Sequence, residues 1–263
     1  MKTIIAISTL AITKALNQDS EIFKAVCELK WNELDAKIEA GETVSEEKKA
    51  ALEEICPGFR MSSDAQFHVG NLESYGCWCR FDRDSHGKGK GPAADVYDGF
   101  CKLYHDAVTC LAMDYGAQCN PWDVTYSFSV LQDDKTVDCE SLNDNDCAVN
   151  LCKVESHLVY NVLNEATGLY GTPLQHSAYN KNHNQYPSTN WTYDECKVGN
   201  GGSGPAVLEC CGQYHIRYPF KTSGASASKQ CCDKNDGSFG TSTYNPISSE
   251  CCDGNVMPLG TNC

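Results

Sequence analysis

Cysteine constrains this chain more than any other residue. There are 18 in 263 residues, and six stand as adjacent pairs, Cys210-Cys211, Cys231-Cys232 and Cys251-Cys252, recurring at 21 and 20 residues. That is an internal repeat. Neighbouring cysteines rarely bond to each other because the ring is strained, so each pair is expected to tie into two other segments. Repeats this short, with few large apolar side chains, bury little core and must depend on their bridges. The CxxC spacing expected of zinc sites is missing, and Cys77-Trp78-Cys79 is too tight for it. Disulfides in an oxidising compartment are the better reading.

Other features agree with export. Lys2, the apolar run to Ile12 and the small residues around Ala15 read as a signal peptide over residues 1–15. Asn190-Trp191-Thr192 is a glycosylation sequon. A formal charge of −14 and a pI near 4.8 argue against nucleic acid and anionic membranes as partners. The same acidity suits surface cation binding, or simply solubility.

Hydrophobic spacing divides the rest of the chain. Residues 16–60 read as a helical hairpin, with Phe23, Cys27, Trp31, Leu34 and Ile38 on one face, a break at Gly41, and a capping box over Thr43–Glu46 before a second helix carrying Leu52 and Ile55. Cys27 and Cys56 lie where one disulfide could staple the two helices. Residues 61–170 form a second unit: a glycine- and lysine-rich loop, a helix over Asp95–Cys110, a turn at Asn120-Pro121, a hairpin tip at Asp133-Asp134 and a long helix from Cys147 to about Glu165. Residues 171–205 read as a linker, and 206–263 as the Cys-Cys repeat module with Tyr214, Tyr218 and Phe220 as strand residues over a small core.

Within the Asp95–Cys110 helix, Asp98, Cys101 and His105 share one face. An imidazole beside the Asp106 carboxylate suits a general base next to a cation ligand. Any surface helix with adjacent His and Asp would look the same.

The surrounding motifs add to this. Tyr75-Gly-Cys-Trp-Cys79, the run from Asp95 and Asp98 through Cys101 to His105-Asp106, Asn120-Pro-Trp with Tyr126-Ser127, and the series Cys139, Asn143, Cys147, Cys152 stand in one order. Together they resemble the secreted phospholipases A2, the calcium-dependent, disulfide-rich lipases. The resemblance implies His105 as the base that activates water, Glu155 as the carboxylate that orients it, and Tyr126 as a hydrogen-bond partner of that carboxylate. It implies calcium as cofactor, held by Asp106 and by backbone carbonyls at Trp78, Arg80 and Asp82. It also implies Cys79–Cys101 and Cys139–Cys152 disulfides. Two further family cysteines, bonded to each other, would fall at Val108 and Val154, and both are absent together.

The departures fall on the calcium loop and on the two helices, where one extra residue separates Asp98 from His105 and Thr109 replaces a tyrosine. Arg80 brings a positive charge to a cation's place, the loop before Pro92 is longer, and Glu155 exceeds an aspartate by a methylene. The late Cys-Cys repeats resemble those of galaxin-type matrix proteins. The expected fold class is therefore mainly α and disulfide-rich: a phospholipase A2-like two-helix core with a small β-hairpin, preceded by a helical hairpin and followed by a small β/loop module. The expected function is a secreted structural or assembly protein of an extracellular matrix or filament, associating with itself or with other matrix proteins and having weak or no lipase activity. An active calcium-dependent phospholipase A2, with phospholipid as its substrate, is the alternative. A non-catalytic toxin or lipid-binding protein is the second.

Overall fold

The structure, a computed structural model, describes residues 21–46, 49, 52, 56, 76–81, 89–93, 96–131, 136–167, 196, 207–223, 226, 228–234 and 242–261. The expected signal peptide, Asp82, Asn190 and most of the 171–205 linker lie outside these residues.

Helix α1 (Glu21–Glu39) stops at Gly41, which takes a left-handed conformation at φ 80°. There the amide of Glu42 bonds the carbonyl of Lys37 and that of Gly41 bonds Ile38, two bonds that satisfy carbonyls a helix end would leave open. Ile22, Val26, Leu29, Trp31 and Leu34 are buried. Ile38, expected on the same face, is exposed because the helix runs past the edge of the core there. Beyond the turn, Glu46, Lys49 and Leu52 are helical, and Cys27–Cys56 joins this segment to α1.

Helices α2 (Val96–Tyr115) and α3 (Asp146–Thr167) pack on each other, with α1 against α3. Their apolar spacing is helical, and Asn145 caps α3 by accepting the Ala148 amide at 2.8 Å. Between them strands β1 (Ser129–Leu131) and β2 (Thr136–Asp138) pair antiparallel, flanking the expected tip at Asp133-Asp134. The core is contributed chiefly by the helices: Tyr104, Ala107, Val108 and Leu111 from α2 meet Leu151, Val154, Leu158, Val162 and Leu163 from α3. Val108 and Val154 are both buried in it, apolar packing where the resemblance places a disulfide.

The repeat module is built differently. Strands β3 (Leu208–Cys211) and β4 (Tyr218–Lys221), β5 (Gln230–Cys232) and β6 (Ser242–Tyr244), and β7 (Ser249–Cys252) and β8 (Asn255–Pro258) form three separate two-stranded antiparallel hairpins. Each Cys-Cys pair sits at the end of the first strand of its hairpin. The first cysteine of each pair bonds backward along the chain, and the second of the first two pairs bonds forward: Cys110–Cys210, Cys211–Cys231 and Cys232–Cys251. Tyr218 and Phe220 lie in β4 as expected, whereas Tyr214 belongs to the turn before it.

In all, eight disulfides join described cysteines, none of which is free. So many bridges fit an extracellular protein. Among the described residues no helix is long and apolar enough to cross a membrane.

Candidate functional site

The candidate site lies along the face that α2 presents to α3 and to the Cys77–Phe81 turn. Disulfides fix its frame. Cys79–Cys101 ties the turn to α2, Cys139–Cys152 ties the hairpin segment to α3, and Cys119–Cys147 joins the chain after α2 to the start of α3. Cys77 bonds Cys196, returning the expected linker to the turn.

Asp98 has a structural task. It is fully buried and accepts the amides of Cys77 at 3.0 Å and Trp78 at 2.7 Å. Gly76, at φ 57°, lets the turn wrap this carboxylate, because any side chain there would collide with it. A carboxylate buried against two backbone donors holds the start of α2 to the turn.

His105 is only 2% exposed. Phe81 stacks on its ring, with centroids 6.0 Å apart and planes 14° from parallel, and Tyr104 meets it edge-on at 5.2 Å. Glu155, from α3, is buried and accepts a short hydrogen bond from the Tyr126 hydroxyl. Burial pushes the Glu155 carboxyl up to about 7, against a smaller downward effect of that hydroxyl. The Tyr104 hydroxyl is raised by burial and then by the Glu155 charge. Tyr104 thus has ties to both His105 and Glu155, and the five side chains are all buried. The chemistry expected at His105 needs access to water and ester, and the Phe81 and Tyr104 rings cover the imidazole.

The expected cation ligands have other partners here. Asp106 meets the Lys102 ammonium at 2.5 Å, and that ammonium lies 4.9 Å from the centre of the Trp78 ring. The Trp78 carbonyl accepts the Arg80 amide at 2.7 Å, closing a tight turn. Its indole donates to the Gly91 carbonyl at 3.1 Å and lies against Gly89, where a side chain would strike the ring. Among the described residues no cluster of three or more His, Cys, Asp or Glu could hold a metal ion. As arranged, Asp106 and Trp78 do not fit a calcium ion. Asp82 lies outside the described residues.

A second polar cluster, which no sequence motif marks, docks the first hairpin on the helices. Asp114 accepts hydrogen bonds at 2.7 Å from both the Tyr214 hydroxyl and the Arg217 guanidinium. The rings of His157 on α3 and His215 are 3.7 Å apart. Burial, then the His215 ring, lowers His157 to about 3, so the pair is neutral at ordinary pH. No periodicity signals contacts between residues some 100 positions apart. The Cys210 doublet was the available clue, because one of its thiols had to reach outside the repeats.

Comparison of the chain with known protein families, with characterised proteins and with solved structures gave no match in any of the three.

Proposed function

We propose that this chain is a disulfide-rich structural or assembly protein of an extracellular matrix or filament, built on a phospholipase A2-like scaffold with little or no lipase activity. The relay of three disulfide-linked hairpins carries the reading. The third hairpin segment leaves Ile247 75% and Leu259 60% exposed. That apolar surface offers a contact to a second copy or to another matrix protein. The covered imidazole of His105 supports a scaffold rather than a working base.

Sedimentation velocity over a wide concentration range, with and without calcium, tests the proposal. Association is expected, weakened by Ile247→Lys. A chain that stays monomeric throughout and is found in no matrix overturns it.

The Tyr126–Glu155 hydrogen bond favours a second reading, an active phospholipase A2. Calcium-dependent fatty-acid release that disappears in His105→Gln would establish it, and no turnover at millimolar calcium would exclude it.

A further inference from the structure

We infer that Lys102 is a built-in cation: its ammonium neutralises Asp106 and takes the seat that a divalent ion would need, so that this face of α2 works without metal. Three observations converge on it. The ammonium and carboxylate are 2.5 Å apart, with Asp106 17% and Lys102 39% exposed, so the carboxylate meets water on one side and the ammonium on the other. The second observation is the aromatic floor. Lys102 sits over the Trp78 ring, whose indole donates to the Gly91 carbonyl and which lies against the bare Gly89 backbone. Cation and ring attract, and the attraction grows with desolvation.

The third is helix order. An acidic residue preceding its basic partner by four positions is the stronger arrangement on a helix, and here the lysine comes first. Intrinsic helix preference therefore supplies little of this pairing, and Trp78 supplies a reason for it.

A divalent cation approaching Asp106 would meet a fixed positive charge within a few ångströms and would have to displace it. The inference depends on the phospholipase-like reading only for which ion is expected. Cation binding and self-association are measured separately, so either can fail alone.

The test uses the full disulfide-bonded chain. Terbium luminescence sensitised by Trp78, with calcium calorimetry beside it, is measured for the parent protein, Lys102→Met, Lys102→Gln and the double variant K102M/D106N. The parent is expected to show no saturable binding up to millimolar ion. Either single variant is expected to gain on the order of tenfold or more in affinity, and K102M/D106N should lose that gain. Saturable calcium binding by the parent that Asp106→Asn abolishes overturns the inference. So does the absence of any gain in both Lys102 variants with unchanged circular dichroism.

Discussion

The two halves of this molecule solve the same problem by different means. The helical half buries a continuous set of leucines, valines and aromatics between α1, α2 and α3, with seven half-cystines set among them. Among the described residues of the hairpin half the buried apolar ones are Cys211, Phe220 and Cys232, two of them half-cystines. An isolated two-stranded hairpin is marginal in water at best. The contrast shows that identical chemistry, a sulfur–sulfur bond, is an accessory where apolar area is ample and the principal restraint where it is scarce.

Disulfide removal should break this comparison most sharply. Replacing Cys211 and Cys231 together by serine opens a loop with a sequence separation of 20, and the Cys139–Cys152 pair one of 13. Chain-entropy arguments assign each about 3 kcal/mol. The expected outcomes nonetheless differ. The first double variant should lose amide protection throughout β5 and β6 with helical circular dichroism intact, whereas the second should remain folded and melt at lower temperature. Equal protection of β5 and β6 in both variants would show that the hairpins hold themselves.

The next effect belongs to the helical half alone. Glu155 titrates near 7 when folded against an ordinary 4.5, so its protonated form favours folding. Its contribution is complete below about 4.5 and is lost as pH rises through 7, a change on the order of 3 kcal/mol. Glu155→Gln should flatten this profile and raise the melting temperature at pH 8, leaving the hairpins unaffected.

The seam between the halves responds in the opposite sense. His157 is lowered to about 3 by burial and by His215, with Asn161 bonded to its ring and Lys153 acting on His215. Docking is therefore strongest above the ordinary value of 6.5 and weakens as pH falls from there toward 3. At pH 5 the loss should be on the order of 2 kcal/mol. Faster hydrogen exchange in β3 and β4 would reveal it, and His157→Phe should shrink the dependence to what His215, itself lowered by burial and by Lys153, contributes. Smallest of all, Arg217→Ala removes a half-exposed ion pair with Asp114 and should cost no more than about 1 kcal/mol by denaturant titration.

Local order was legible in the sequence wherever one period dominates. The α1 stop at Gly41, the extent of α3 and the shared face of Asp98, Cys101 and His105 follow from spacing and capping, which act over a few residues. The Cys27–Cys56 bond followed from the reach of a helical hairpin. The destination of Asp98 did not follow, because a carboxylate on the helix face suits a cation as well as it suits two backbone amides. Lys102 carries no mark of its role in the sequence for a related reason. A lysine one turn before an aspartate is ordinary in sequence, and only the Trp78 ring beneath it makes the pair distinctive. Contacts such as Asp114 with Tyr214 cross the whole molecule and leave no local mark.

The alternating bonds of the Cys-Cys pairs carry a mechanical implication. Tension applied between α2 and β7 would pass from Cys110 to Cys210, across one peptide link to Cys211, to Cys231, across another to Cys232, and on to Cys251. The intervening loops would bear none of it, so the hairpins could be pulled without lengthening. A reductant would put those loops into the line of force and release roughly 3.3–3.6 Å for every residue freed. The same thread would be inextensible outside the cell and slack in a reducing milieu.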